Sequence, residues 1–314
     1  MATERTTRRP LKIGINLPSG EGLMAGQTPH WPDIRAMTVA AEQAGYDSLW
    51  LPDHFLMKFS HGFTHPRGTW DCWTLLASMA AITDRIELGT LVSSTTFLNP
   101  ALLARIADTI EDVSGGRLIL GVGAGDSPYE HEAYGVPYDH RASRFEEAIQ
   151  IIRGLLREGQ VTFDGRFYQA HEAEIRPRGP RPQGPPIMIG ARVTSPRMLR
   201  LCVEYADIWN EWVVFGNSHP EAVRPQLQAL DEACEAAGRD PKTLARSIAV
   251  MVDYSGRTEF RRGEQPLLGS PEELADACRQ FAAEGVSHLQ IVFRPTTVET
   301  IERFAPVLGL LDQG

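Results

Sequence analysis

Two adjacent titratable residues, Asp53 and His54, close the segment AEQAGYDSLWLPDH, residues 41–54. A carboxylate beside an imidazole can orient it and keep it near a neutral pKa. An imidazole held in this way can exchange a proton with a substrate oxygen. The competing reading is a strand-end Asp capping the next loop beside a solvated His. A second acid, Asp126, ends the glycine-rich stretch GGRLILGVGAGD, residues 115–126. Gly121, Gly123 and Gly125 do not make a dinucleotide fingerprint, because the third glycine falls too early and no helix follows directly. Glycines after a strand do let a flat ligand approach the backbone, with amide N–H groups turned toward it. Gly190, Ala191 and Arg192, with Thr194 and Ser195 at a helix start, read equally as a phosphate cradle or an ordinary β–α turn.

Other candidates carry less. His61 and His65 are four apart with no helix and no following carboxylate, so no metal site is expected there. His131 and His140 read as solvated loop residues. HExxH, Walker A and GxSxG motifs are absent, which leaves nucleophilic hydrolysis without support. Three of the 31 basic residues are lysines (Lys12, Lys58 and Lys242), so Schiff-base chemistry and lysine-lined phosphate pockets have few candidates.

These residues need elements that bring them to one end of a fold. Eight short apolar runs, 13–17, 48–51, 86–92, 118–122, 186–189, 208–212, 248–252 and 288–293, alternate with eight helix-type stretches. The helices are expected at 32–44, 73–82, 100–113, 143–157, 195–205, 220–237, 271–283 and 298–311. Asn99-Pro100, Ser195-Pro196 and Ser270-Pro271 mark starts, and Gly45, Gly238 and Gly285 mark stops. Continuous apolar strands imply burial on both faces, and eight βα units fit a (β/α)8 TIM barrel; an open doubly wound sheet is the alternative. In a barrel the candidate residues follow strands and gather at the C-terminal mouth. The irregular tracts 55–69, 126–142 and 255–269 would lie over that mouth, whereas 159–185 is an insertion before strand five, at the side or base, with a hairpin around Asp164-Gly165. Strand six ends in Trp209-Asn-Glu-Trp212, with polar groups toward the mouth. Residues 1–10 read as a mobile tail and 11–314 as a single barrel domain.

Composition narrows the function classes. The chain has 314 residues, a formal charge of −9, and 42% hydrophobic against 23% charged residues, which suits a folded soluble protein and argues against nucleic acid as the main partner. No apolar run approaches the ~18–20 residues of a membrane span, and MATERTTRRP is no secretory signal. Cys72, Cys202, Cys234 and Cys278 are scattered, so neither a zinc site nor a disulfide framework is expected and the reducing cytoplasm is the expected compartment. Apolar residues on more than one face of helices two and three suggest a homodimer.

AEQAGYDSLWLPDH, followed in order by RIELGT and GGRLILGVGAG, makes the chain resemble the bacterial-luciferase-like oxidoreductases, in particular the branch using the deazaflavin coenzyme F420. The resemblance spans about residues 11–311. It implies a (β/α)8 barrel with an insertion, a homodimer, and a flavin or deazaflavin at the C-terminal mouth. By position it makes Asp53 an acidic residue near the cofactor ring and His54 a residue beside the reacting face. The family's bulge after strand three, often with a non-prolyl cis peptide, falls on Leu91–Val92. Ser94 matches a hydroxyl that contacts the cofactor, Ala124 and Gly125 match the turn after strand four, and Gly190-Ala191, with Arg192, the tail phosphate site. Asp126 falls where the branch's sugar-phosphate dehydrogenases carry a catalytic Glu, whereas Lys58 replaces their aromatic residue and their phosphate-binding lysines have no match. Glucose 6-phosphate is therefore not the expected substrate. The implied activity is hydride transfer between C5 of F420 and a small organic substrate, with His54 and Asp126 handling the proton. An FMN-dependent monooxygenase is the alternative, and a non-catalytic flavin-binding barrel a further one.

Overall fold

The eight apolar runs become eight parallel strands: β1 (Lys12–Asn16), β2 (Ser48–Leu51), β3 (Glu87–Thr90), β4 (Leu118–Gly123), β5 (Ile187–Gly190), β6 (Ile208–Trp212), β7 (Ala245–Asp253) and β8 (His288–Arg294). The computed structural model describes residues 9–58 and 65–313. Each strand pairs in parallel with the next, and β8 pairs with β1 through Lys12 with His288 and Ile15 with Ile291. That last pairing closes a TIM barrel and removes the open-sheet alternative. The helices are α1 (Trp31–Ala44), α2 (Cys72–Ala80), α3 (Pro100–Val113), α4 (Pro128–Ala133), α5 (Arg141–Glu158), α6 (Pro196–Tyr205), α7 (Pro220–Ala236), α8 (Pro271–Ala283) and α9 (Val298–Asp312). All but the short α4 were legible as βα partners. Asn99 caps α3 through Ala101 N, and Ser270 caps α8 through Glu273 N, whereas Ser195 makes no side-chain cap to α6.

A tryptophan fills the barrel interior and dictates small neighbours. Trp50 on β2 is fully buried. A Cβ at Gly89 on β3 would lie 2.3 Å from the Trp50 ring, and one at Gly14 on β1 would lie 2.6 Å from its Nε1. Glycine on both flanking strands is therefore a packing requirement. Trp50 Nε1 donates to Ser48 Oγ at 2.7 Å, and Ser48 Oγ is also 2.7 Å from His288 Nε2. Burial pushes the His288 pKa down to about 3. Leu91, Met188, Val214 and Met251 pack with Trp50, so the barrel has a filled core and ligands must bind at its end.

The insertion before β5 is an antiparallel hairpin, Gln160–Asp164 with Gln169–Glu174, as expected around Asp164-Gly165. It runs along the barrel's side, because Glu147 of α5 accepts the backbone N–H groups of Arg166, Phe167 and Tyr168 at 2.9, 2.8 and 3.0 Å. Arg294 at the end of β8 pairs with Asp253 and Glu264 and pins the long loop after β7. Residues 1–8 of the expected tail, together with His61, lie outside the described residues. Arg9 is held down, donating to Asp312 Oδ1 at 2.6 Å, Gly45 O at 2.9 Å and Asp47 Oδ2 at 3.1 Å. The surplus apolar surface expected on α2 is largely buried within the single chain, whereas α3 leaves Leu102 and Val113 exposed. Among the described residues no helix is long and apolar enough to cross a membrane, and the four cysteines are free and buried.

Candidate active site

Asp53, His54, Ser94, Ala124, Gly125, Asp126, Ala191 and Arg192 each follow a barrel strand and Gly190 ends one, so the barrel brings them to the C-terminal mouth. His54, just past β2, does not take its orientation from Asp53 as the sequence suggested. Its Nδ1 lies 2.8 Å from Oε1 of Glu130 on α4. The other carboxylate oxygen of Glu130 accepts from Phe55 N at 2.9 Å and Leu56 N at 3.2 Å. The correction has a physical cause: both residues lie in the loop past β2, where Ser93 takes the Asp53 carboxylate and Glu130 takes the His54 ring, so adjacency in sequence does not make them partners. Burial works against the charged imidazole, yet Glu130, with Asp126 and Asp53 nearby, raises the His54 pKa above the ordinary histidine value. Burial likewise pushes the Glu130 carboxyl up, but His54 and the two backbone N–H groups outweigh it and hold its pKa below the usual range.

Asp53 instead accepts a hydrogen bond from Ser93 Oγ at 2.5 Å. Burial raises its pKa to about 6, and Ser93 and His54 oppose a further rise. Ser93 belongs to the bulge after β3, where the Leu91–Val92 peptide is cis, at the position the resemblance indicated. The Val92 side chain presses toward β4 and β5: a Cβ at Gly123 would come within 2.8 Å of it, and one at Gly190 within 3.2 Å. Glycine at these strand ends lets the bulge lie flat across the mouth.

Ser94 faces the turn after β4. Its Oγ is 2.8 Å from Thr96 Oγ1, which is 2.7 Å from His131 Nε2. His131 is thus fully buried rather than solvated, and it packs on Phe97 with ring centroids 4.9 Å apart. Asp126 is exposed at the rim. His54, Asp126 and Glu130 each place a ligand-type atom within 4.8 Å of the others. Both Glu130 oxygens already accept N–H bonds, so this trio suits proton handling better than metal binding. Beyond β5, Ala191 is buried and its carbonyl accepts from Trp209 Nε1 at 2.7 Å, while Arg192 is exposed. Of the polar pair on β6, Asn210 turns into the barrel toward Gln290 and Ser247, away from the mouth. Burial raises the Glu211 pKa to about 7, moderated by Arg192 and the Val193 N–H.

Four buried side-chain atoms lack a hydrogen-bond partner among the described residues: Asn16 Oδ1, Ser19 Oγ, Thr95 Oγ1 and Ser127 Oγ. Asn16 ends β1, and Ser19, Thr95 and Ser127 lie on segments after β1, β3 and β4, which is the mouth. Buried polar groups left unpaired are costly and native proteins keep few of them. Their concentration at one end, beside the flat glycine-backed bulge, fits a planar ligand with polar edges.

The family model described as luciferase-like monooxygenase matches residues 11–262. An F420-dependent glucose-6-phosphate dehydrogenase from Kineococcus radiotolerans is 30% identical, over 98% of this chain and 90% of its own length. A 5,10-methylenetetrahydromethanopterin reductase from Archaeoglobus fulgidus is 32% identical over 63% of this chain, which spans about half (53%) of that relative. A solved F420-dependent secondary alcohol dehydrogenase in complex with an F420-acetone adduct shares the fold, with a TM-score of 0.77 at 17% identity over 96% of this chain and 99% of its own.

Proposed function

Because the chain belongs to the luciferase-like monooxygenase family, we propose that it is an F420-dependent oxidoreductase acting on a small organic substrate. Similarity to F420-dependent relatives supports the cofactor, and the unpaired polar atoms at the mouth support a planar, polar-edged ring. Asp53, the Leu91–Val92 bulge, Ser94 and the Ala124–Gly125 turn would hold the ring. Gly190, Ala191 and Arg192 would hold its tail phosphate. When bound, the deazaflavin would give or take a hydride at C5.

The His54–Glu130 pair, with Glu130 buried and His54 half-buried, carries the proposal. Glu130 orients the imidazole through Nδ1 at 2.8 Å, and Nε2 would exchange the proton with the substrate oxygen. Glu130 fixes the ring and stabilises its positive charge once the proton arrives. Asp126, exposed beside them, would pass that proton to water. The barrel core beneath excludes solvent from the opposite side. A sugar phosphate is disfavoured: Lys58, one of three lysines in the chain, already lies 4.4 Å from the centre of the Tyr129 ring. We further propose a cytoplasmic homodimer paired through the α3 face that exposes Leu102 and Val113, which light scattering would test.

The cofactor assignment is tested by expressing the protein in a host that makes both F420 and FMN and identifying the co-purified molecule by mass spectrometry. Recovery of F420 is expected. Recovery of FMN alone would favour the monooxygenase reading instead.

A further inference from the structure

A chain of buried hydrogen bonds crosses from loop to loop beneath the mouth and ends on a residue expected to touch the cofactor. It runs from Ser94 Oγ to Thr96 Oγ1 at 2.8 Å, from Thr96 Oγ1 to His131 Nε2 at 2.7 Å, and from His131 Nδ1 to the Ser127 carbonyl oxygen at 2.7 Å. Ser94, Thr96 and His131 are 5%, 7% and 0% exposed, so water has little part in the chain. The turn at Gly125 (φ 78°) lies against it: a Cβ there would come within 2.6 Å of Ser94 Oγ and 3.0 Å of His131 Cε1.

Such a chain has a direction that can be worked out from its fixed end. The Ser127 carbonyl can only accept, so Nδ1 of His131 must carry a proton. With the single proton of a neutral imidazole placed there, Nε2 offers a lone pair, and the Thr96 hydroxyl must donate to it. Thr96, having spent its proton, can only accept from Ser94. Ser94 has then spent its own proton and retains lone pairs alone. We propose that His131 and Thr96 are positioning residues that set Ser94 as a hydrogen-bond acceptor, selecting a ring edge that presents N–H to this side of the mouth. The inference rests on the cofactor reading for the identity of the ring, while the polarity of the chain does not depend on it.

The same short helix serves two loops with consecutive side chains. Glu130 of α4 reaches the loop after β2 and fixes His54, and His131 reaches the loop after β3 and fixes Thr96. One turn of helix therefore registers the proton-exchanging group and the ring contact against each other. A purely structural histidine would brace the loops equally well, so the test must read polarity and ligand binding rather than stability.

Two measurements on the intact protein do so. In nitrogen-15 spectra of histidine-labelled protein, with the His131 signals identified as those that move in Thr96→Val, Nδ1 is expected to be protonated and Nε2 bare at neutral pH. A proton on Nε2 reverses the chain and overturns the proposal. F420 titrations followed by fluorescence quenching supply the second reading. Ser94→Ala is expected to weaken binding about 10-fold and Thr96→Val about 3- to 10-fold, the range for one hydrogen bond. Thr96→Ser should restore affinity to within about 2-fold, and Ser94→Ala with Thr96→Val should be no worse than Ser94→Ala alone. Thr96→Val binding F420 as tightly as wild type, or adding its full effect to Ser94→Ala, would overturn the inference. Wild-type protein that binds no F420 refutes the cofactor reading instead, and the nitrogen-15 pattern still decides the polarity.

Discussion

Replacing Glu130 with glutamine keeps the shape of the side chain and reverses a hydrogen bond. In the wild type one carboxylate oxygen serves His54 Nδ1 at 2.8 Å and the other serves Phe55 N and Leu56 N at 2.9 and 3.2 Å. An amide has one oxygen to offer. Two backbone N–H groups that cannot move outcompete one imidazole that can change tautomer, so the oxygen goes to the backbone and the NH2 group faces Nδ1. His54 must then carry its proton on Nε2, and the atom meant to exchange a proton with substrate starts in the wrong state. Loss of a positioned acid–base group, or of its correct tautomer, lowers turnover by about 10²–10⁴-fold. Burial disfavours the charged imidazole and Glu130 overcomes it, so the variant should also lower the His54 pKa. The limb of the pH–rate profile that reports His54 should move to lower pH. A raised folded-state pKa stabilises the protein below the ordinary histidine value, and that contribution is lost as pH rises through the folded value. Glu130→Gln should flatten this slope. The assay is single-turnover kinetics on F420-saturated protein across pH, with the cofactor dissociation constant measured alongside. Glu130→Gln with wild-type turnover and an unmoved pH profile would remove the pair from the mechanism.

Four other outcomes follow from the same geometry. Asp53, buried and raised from 3.8 to about 6, contributes stability that is present below about pH 4 and lost as pH rises through about 6. Asp53→Asn should therefore be about 1–3 kcal/mol more stable than wild type in urea at pH 7.5, with the difference shrinking toward zero near pH 4; a difference independent of pH would refute it. His54→Ala should lower kcat by about 10²–10⁴-fold with little change in F420 affinity, and Asp126→Asn should slow turnover less, also with little change in F420 affinity. Lowered melting temperature or cofactor affinity with unchanged turnover would assign His54 a structural role. Gly89→Ala would place a Cβ 2.3 Å from the Trp50 ring, and thermal unfolding should show a loss of about 1–3 kcal/mol or more.

The sequence made the barrel legible because each strand is a short apolar run closed by a capped helix start or a glycine. The strand-end position alone then placed Asp53, His54, Asp126 and Gly190 at the mouth. Two partners escaped it. Glu130 reaches His54 across 76 positions of sequence from a six-residue helix in a tract with no apolar periodicity. Its local signal was present, since Ser127-Pro128 followed by an acid at the third helical position is a helix-start pattern. His131 was mistaken for a solvated residue for the same reason: once α4 is recognised, a histidine next to Glu130 must point back into the fold or across to the next loop. Pairing Asp53 with His54 by adjacency failed because each has a partner from a later loop, Ser93 for Asp53 and Glu130 for His54, that no local spacing reveals.

We propose that this mouth holds a deazaflavin. Parallel fluorescence titrations of the purified wild-type protein with F420 and with FMN, at equal protein concentration and fixed ionic strength, test it most directly. Saturable quenching by F420 at about one molecule per chain, with FMN binding at least about 10-fold more weakly, is the predicted result. Tight FMN binding with no response to F420 would assign the mouth to a flavin instead.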